Sequence, residues 1–446
     1  MSPKPDTIAA IATAHGQGGI GVIRISGAVA PAIAQGLLGK QPRHRTATLS
    51  TFKDIQGEPI DHGIALYFRA PQSFTGEDVL ELQGHGGTAV LQLVLQRVIE
   101  LGARLALPGE FTQRAFLNGK LDLAQAESVA DLIAATTEQG ARSAMRSLQG
   151  EFSRAINDMM ANLTQLRMLV EAPMDFPEED ISTTDIASYE RALLALRQQL
   201  DKTLSLARQG SLLREGAQIV LVGRPNVGKS SLLNRLSGDD VALVSKIPGT
   251  TRDLIRQTIQ IEGVSMQIID TAGLHNSTDE VEIMGMARTR EALKNADAVL
   301  VVIDATRGIA PEDSEMLKDV PTEIPHIYVF NKIDLQGSSA HLEQVDNTSH
   351  VYLSAKTAAG ITILQQKLLE VVGWNQESGV YMARKRHITA LLLAKSHLEH
   401  AAIESARIEI FAEELRLAQD ALGTIVGVLS SDDLLGEIFS RFCIGK

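Results

Sequence analysis

Cysteine is almost missing from this 446-residue chain. Cys443 stands alone, so no intrachain disulfide can form and the composition suits a reducing compartment. An excess of basic residues is missing too. Against 54 Asp and Glu there are 42 Lys and Arg, and the formal net charge is -12. That field opposes a sequence-independent grip on nucleic-acid phosphates and leaves such contact to a local patch or a partner. No stretch approaches the roughly 18 unbroken apolar residues of a membrane span. The segment Met1 to Asp6, with two prolines and an acid, has neither the basic start nor the apolar run of a secretory signal. The expectation is a soluble cytoplasmic protein without membrane contact. Repeats of fixed period and low-complexity tracts are also lacking.

Present instead is the profile of a globular protein, 44% hydrophobic and 22% charged. The chain is longer than the about 250 to 300 residues at which single cores stop growing, so two or three domains are expected. Residues 7 to 117 mix short strands (Gly21 to Ser26, Ile64 to Arg69) with a helix over Val90 to Gly102, an α+β texture. From Asn118 long helical patterns take over: Leu123 to Thr137, Gly140 to Met168 and Ile186 to Leu206. Two prolines and four acids between Ala172 and Asp180 predict a helix break there. After Gly216 the pattern becomes strand, Gly-rich turn and helix, with strands at Gln218 to Val222, Met266 to Ile269, Ala298 to Ile303 and His326 to Phe330, which implies a doubly wound α/β sheet. Beyond Trp374 the helical texture returns to the end. The boundaries expected are 1–118 for an α+β domain, 119–214 and 376–446 for two parts of a discontinuous helical domain, and 215–375 for an inserted α/β domain.

Gly223-Arg224-Pro225-Asn226-Val227-Gly228-Lys229-Ser230 fits the P-loop pattern and lies between an apolar strand and the helical run that begins at Ser231. Its glycines let backbone N–H groups curl around phosphate oxygens, Lys229 neutralises the outer phosphates and the Ser230 hydroxyl suits Mg²⁺. Asp270-Thr271-Ala272-Gly273 ends a strand, placing a carboxylate near the metal and a glycine N–H near the γ-phosphate. Asn331-Lys332-Ile333-Asp334 and Ser354-Ala355-Lys356 each follow a strand and read the base. The Asp334 carboxylate accepts from the ring N–H and exocyclic amine of guanine, a preference over adenine of about 3 to 6 kcal/mol for two charge-assisted bonds. A GTPase is expected. Thr250-Thr251-Arg252-Asp253 lies where a first switch belongs. Leu274 occupies the place where many small GTPases carry a water-orienting glutamine, so another group must serve. The local candidate is Asp279-Glu280-Val281-Glu282, which also reads as a solvated helix start.

The P-loop Asn226, the Gly249 to Asp253 segment, Asp270 to Leu274 with Glu282, the N-terminal Gly18-Gly19-Ile20-Gly21-Val22-Ile23-Arg24-Ile25-Ser26-Gly27 and the terminal Cys443-Ile444-Gly445-Lys446 together resemble the MnmE family of tRNA-modification GTPases. The likeness covers nearly the whole chain. It implies a homodimer that works with the FAD protein MnmG, as a heterotetramer, on C5 of the wobble uridine of certain tRNAs. It further implies an N-terminal domain binding a 5-formyl- or 5,10-methylene-tetrahydrofolate donor through Arg24, Glu81, Lys120 and Lys446, with Cys443 as a functional thiol. The nucleotide contacts implied are Asn226, Val227, Gly228, Lys229, Ser230, Ser231, the Ser245-Lys246-Ile247-Pro248-Gly249-Thr250-Thr251 segment, Asp270 to Gly273, and the two base-reading segments. K⁺ would be held by Asn226, Ser245, Ile247 and Thr250, and Mg²⁺ by Ser230 and Thr251. K⁺ would promote G-domain dimerisation and replace an arginine finger, Lys229 would serve catalysis, and Glu282 would orient water. His275 departs from the arginine familiar in this family.

A rival reading is a ribosome-assembly GTPase without modification chemistry, which calls for a separate basic RNA-binding domain after the G domain. A second is a purely regulatory switch. Four further features carry little. Gly16 to Gly21 has G-x-G-x-x-G spacing but precedes a strand, so a tight turn is expected rather than a dinucleotide site. Cys443 stands fourth from the end, yet Gly445 and Lys446 do not suit a prenylation box. His397 and His400 lack a third metal ligand, and Arg384-Lys385-Arg386-His387 reads as a charged helix start.

Overall fold

Alternation of inward apolar and outward polar residues builds the N-terminal sheet, as in Val22-Ile23-Arg24-Ile25, where Ile23 and Ile25 are fully buried and Arg24 faces away from them. The computed structural model describes residues 6–14, 16–175, 183–237, 255–270, 292–294, 296–311, 313, 324–346, 348–375, 379–405, 407–428, 432–440, 442 and 445. They fall into two compact units: Met1–Ala134 with Ala144–Asp201 and Thr389–Lys446, and Ala135–Ser143 with Lys202–Ile388.

In the first unit, β1 (Ile8–Ile11), β2 (Gly18–Ser26), β3 (Thr48–Lys53), β4 (Pro59–Phe68), β5 (Val79–Gly86) and β6 (Arg104–Leu105) form a sheet in the order β3-β4-β5-β2-β1-β6. It is antiparallel except for the β1–β6 pair. Helices α1 (Ala30–Leu38) and α2 (Thr88–Glu100) cover one face, burying Ile33, Leu37, Val94 and Val98 against Ile23, Ile25, Phe52, Leu80 and Leu82. The G-x-G-x-x-G segment is no tight turn. From Gly18 onward it belongs to β2, and its register shifts between Gly18 and Gly21. Close approach requires glycine at Gly21, where a Cβ would lie 2.7 Å from Leu91 Cδ1, and at the facing Gly86, where one would lie 2.4 Å from Gly18 O.

The helices α3 (Glu110–Leu117), α4 (Leu123–Ala134), α5 (Glu138–Leu148), α6 (Glu151–Asp175) and α7 (Thr183–Glu215) follow. The single helix expected over Gly140 to Met168 is divided at Gly150, whose φ of +81° ends α5 and opens α6. The end of α6 at Asp175 falls within the break expected between Ala172 and Asp180, although the helix runs through Pro173 to reach it. Pro173 has no N–H for the Leu169 carbonyl, and that carbonyl accepts from the Tyr189 hydroxyl at 2.9 Å instead. After α8 (Lys229–Ser237) and α9 (Ile361–Val371) of the second unit come α10 (Lys385–Ile403), α11 (Ile408–Val426) and α12 (Asp432–Ser440). Leu435, Ile438, Phe439 and Phe442 pack on Leu123 and Ala126 of α4. Gly445, with φ +97°, lies so close to β1 that a Cβ there would stand 2.5 Å from Ile11 O.

The second unit holds a seven-stranded sheet in the order β12-β13-β11-β10-β7-β9-β8. Its strands are β7 (Ala217–Val222), β8 (Ile255–Ile261), β9 (Val264–Asp270), β10 (Ala298–Asp304), β11 (His326–Asn331), β12 (His341–Val345) and β13 (Thr348–Tyr352). The five central strands are parallel, and β8 and β12 run antiparallel at the two edges. This is the doubly wound core with antiparallel borders. All seven residues of β10 are buried, as a central parallel strand requires. Helices α8 (Lys229–Ser237) and α9 (Ile361–Val371) belong to this unit.

A polar tie closes the N-terminal domain beneath β1. Glu110 accepts from Arg104 at 2.6 and 2.8 Å and from Arg114 at 2.9 Å, and Arg114 also reaches Glu77 and Asp6. Burial works against ionisation of Glu110, but hydrogen bonds from Arg104, the Leu107 amide and Arg114 outweigh it and hold the carboxyl below its ordinary value. A depressed carboxylate contributes stability that is present above its unfolded pKa and is lost as pH falls through the folded one. Glu110→Gln should therefore weaken the N-terminal domain by about 1 to 3 kcal/mol at pH 7. The gap between variant and parent should narrow below about pH 4. Denaturant unfolding followed by circular dichroism at both pH values checks this; an equal gap at the two would contradict it.

Candidate functional site

Parallel strands deliver their C-terminal ends to one edge of the sheet, where ligands of doubly wound folds bind. Register places Asp304 of β10 beside Asn331 of β11, and Leu221 of β7 beside Asp270 of β9. The predicted P-loop leaves β7 at this edge and enters α8 at Lys229. Lys229 is 6% exposed. Its ammonium donates to Gly223 O at 2.6 Å and Arg224 O at 3.0 Å, so the loop wraps around its own lysine. Burial pushes the Lys229 pKa down, and the Asp270 carboxylate opposes that shift. Asn226 sits at φ +63°.

Asn331 joins three loops. Its Nδ2 donates to Val227 O of the P-loop at 2.9 Å, while its Oδ1 accepts from Lys332 N at 2.8 Å and from Ala355 N at 2.9 Å. The fit is close enough that a Cβ on Gly228 would lie 2.3 Å from Asn331 Nδ2, so no side chain is possible there without displacing the asparagine. Lys332, at φ +71°, adds a second tie: its ammonium donates to Asn226 O and to Asp304 Oδ2, both at 2.7 Å. Burial alone would raise the Asp304 pKa, but hydrogen bonds from Lys332 and Thr306 hold it low. Ser354 Oγ donates to Asp334 Oδ1 at 2.6 Å and fixes the carboxylate expected to meet the base.

The structure thus brings together Asn226, Val227, Gly228, Lys229, Asp270, Asn331, Lys332, Asp334, Ser354 and Ala355 at one sheet edge. Ser230 and Ser231 follow in the first turn of α8 with exposed side chains. Lys356 takes part through its backbone, its carbonyl accepting from Arg235. Ser245, Lys246, Ile247, Pro248, Gly249, Thr250, Thr251, Thr271, Ala272, Gly273, Leu274, His275 and Glu282 lie outside the described residues. Sequence reasoning missed Asp304, whose signal was an acid ending the most apolar strand, and Arg235, which gives none beyond being basic on a helix.

A second constellation lies on the face of the N-terminal sheet opposite α1 and α2. Arg24 and Glu81 stand directly opposite in the β2–β5 register, and both Nε and Nη2 of Arg24 lie 2.9 Å from Glu81 Oε1. The guanidinium also rests 5.6 Å from the Phe74 ring centroid and 5.9 Å from that of Phe111. Lys120 is exposed and passes over the loop that carries Phe74; a Cβ on Gly76 would come within 3.3 Å of its Cε. Cys443 and Lys446 lie outside the described residues, while Phe442 and Gly445 on either side of Cys443 pack on α4 and against β1. Elsewhere, His397 is engaged with Glu414 at 2.6 Å. Among the described residues no cluster of three or more His, Cys, Asp or Glu is arranged to hold a metal. No described helix is long and apolar enough to cross a membrane.

Nearly the whole chain is similar to known proteins. Residues 7–120 match the family model for the GTP-binding protein TrmE N-terminus, and residues 123–443 match that for the MnmE helical domain. The rival reading needed a separate RNA-binding domain after the G domain; the MnmE helical match runs through that stretch instead. The tRNA modification GTPase MnmE of Nitrosospira multiformis is 57% identical over 99% of this chain and 100% of its own length. That of Nitrosomonas europaea is 55% identical over 99% of each chain, and that of Chromobacterium violaceum is 53% identical over 100% of each. With two matches that together span almost all of the chain, and relatives that align from end to end, the chain belongs to the MnmE family of tRNA modification GTPases.

Proposed function

We propose that this protein couples GTP hydrolysis in a G domain at 215–375 to modification of the wobble uridine of tRNA, on a framework of an N-terminal domain at 1–118 and a helical domain at 119–214 and 376–446. The observation that carries the reading is the Asn331 carboxamide, which clamps the phosphate cradle to the base-reading loops and so sets one distance between them. In this reading Lys229 exchanges its two P-loop carbonyls for the outer phosphates. Asp334, oriented by Ser354, accepts from the guanine ring N–H and amine.

Hard oxygen donors suit Mg²⁺; Ser230 with its exposed hydroxyl would supply one, and the Asp270 carboxylate beside Lys229 would stand behind it in the outer shell of the ion. Thr251 would complete the set. Of the K⁺ ligands proposed, Asn226 is described, and Ser245, Ile247 and Thr250 are carried by family likeness. Bound there, the monovalent cation supplies positive charge at the phosphates and favours pairing of two G domains. Glu282 would hold the attacking water in place of the glutamine that Leu274 replaces.

On the N-terminal sheet, the Arg24–Glu81 pair, backed by the buried Phe111 ring and bordered by the exposed Phe74 ring, offers an acceptor, a cation and a flat apolar wall, which fit the ring system of a tetrahydrofolate. The one-carbon unit of the 5-formyl or 5,10-methylene form is what that group supplies. Arg24, Glu81, Lys120 and Lys446 would bind and orient it, with Cys443 near by in sequence. The assembly proposed is a cytoplasmic homodimer that joins the FAD protein MnmG in a heterotetramer acting on tRNA.

Asp334→Asn should lose GTP affinity and gain xanthosine triphosphate, whose C2 carbonyl accepts from the new amide; nucleotide titration checks this, and unchanged GTP binding would remove the assignment. Single-turnover hydrolysis at matched ionic strength should be at least about tenfold faster in K⁺ than in Na⁺, a fraction of the about 10³ to 10⁵ that an arginine finger supplies. Glu282→Ala should slow that step while sparing binding. Equal rates in the two salts would exclude the cation mechanism. Cys443→Ser should keep GTP hydrolysis and abolish the modified nucleoside in tRNA, as measured by mass spectrometry of nucleosides. Loss of both with a lowered melting temperature would mark the thiol as a packing residue.

A further inference from the structure

Arg235 stands six residues after Lys229 on α8, outside the recognised motifs. In space it grips the base-reading loop. Its Nε donates to Ala355 O and its Nη2 to Lys356 O, both at 3.1 Å. A guanidinium is suited to this, because its planar fork can hold two successive carbonyls in a fixed relation. The consequence follows from the geometry of the peptide bond. In a trans peptide the C=O and the next N–H point in opposite directions, so holding Lys356 O toward α8 aims the Thr357 N–H away from it. That N–H donates to Ser354 Oγ at 3.2 Å, and Ser354 Oγ in turn donates to Asp334 Oδ1 at 2.6 Å. The same logic at Ala355 O aims the Lys356 N–H away from α8.

We propose that Arg235 is a positioning residue for guanine recognition, acting through the Lys356–Thr357 peptide and the Ser354 hydroxyl to set the orientation of the Asp334 carboxylate. This rests on the reading of Asp334 as the group that meets the base. The relay runs in one sense throughout: guanidinium to carbonyl, amide to hydroxyl oxygen, hydroxyl to carboxylate. Each donor polarises the next. Because Arg235 rides on the helix that begins at Lys229, it also transmits the placement of the phosphate cradle to the base-reading carboxylate, independently of Asn331.

The test compares GTP with inosine triphosphate, which keeps the ring N–H but lacks the exocyclic amine, in equilibrium titrations of the full-length protein. Arg235→Ala should weaken GTP about tenfold and inosine triphosphate about threefold or less, because a misaligned carboxylate loses the second of two directed bonds. Arg235→Lys, with charge but no fork, should fall between parent and Arg235→Ala. In an Asp334→Ala background, Arg235→Ala should leave the preference for GTP unchanged. Equal weakening of both nucleotides by Arg235→Ala, or none, would overturn the proposal and leave Arg235 a helix-to-loop tie. Should Arg235→Ala fail to fold, as judged by its melting temperature, Arg235→Gln and Arg235→Lys carry the same comparison. If Asp334→Ala itself keeps the full preference for GTP, the base-reading assignment falls, an outcome distinct from a failure of Arg235 alone.

Discussion

The Asn331 carboxamide is the constraint on which the nucleotide-site geometry turns. One buried side chain gives its donor to the P-loop and its acceptor to two further backbone amides, so three loops that leave three strands share a single anchor. Such an amide must be fully satisfied where it stands, since a buried donor or acceptor left without a partner costs about 1 to 3 kcal/mol. The surrounding sequence conforms to it. Gly228 leaves the space, Lys332 adopts a left-handed backbone to turn its ammonium toward Asn226 O and Asp304, and Ser354 completes the line to Asp334.

The N-terminal sheet follows a different rule. Helices α1 and α2 cover one face, while on the other Phe111 of α3 packs with Ile8 and Ala10 of β1, and Arg24 with Glu81 occupies opposing positions of one register pair beside that smaller cluster. The C-terminal residues come to the same domain. Phe442 joins the core built on α4, and Gly445 lies against the end of β1. A chain whose last residues contact its first strand can place terminal functional groups at a site that the N-terminal domain alone would leave incomplete.

Legibility in the sequence tracked how local the determining physics was. The P-loop and the parallel strands could be read because their signals, glycines at set spacings and short apolar runs, lie within ten residues. The exact end of α6 within Ala172 to Asp180 was less legible, because the helix runs on past Pro173. The effect of that proline on α6 is offset by the Tyr189 hydroxyl sixteen positions later, a long-range bond that local pattern cannot show. Glycines Gly16 to Gly21 suggested a turn, whereas from Gly18 onward they belong to β2, and Gly21 serves the close approach of Gly86 on β5. The edge strands β8 and β12 escaped reading, since Ile255–Ile261 follows the switch segment and His341–Val345 is polar and exposed. Arg235 and Asp304 were invisible as site residues because each acquires its role from a partner about 28 to 121 positions away.

The self-wrapped lysine of the P-loop has a thermodynamic corollary. With the Lys229 ammonium already bonded to Gly223 O and Arg224 O, the cradle has its curvature before a phosphate arrives. Most of the conformational entropy of ordering those eight residues is then lost during folding rather than on ligand capture, which favours tight binding by a preorganised site. What remains on capture is an exchange of partners at one nitrogen. The carbonyls it releases must find other donors, and the enthalpy of nucleotide association at this site therefore includes the rupture of two internal bonds as well as the new contacts to phosphate.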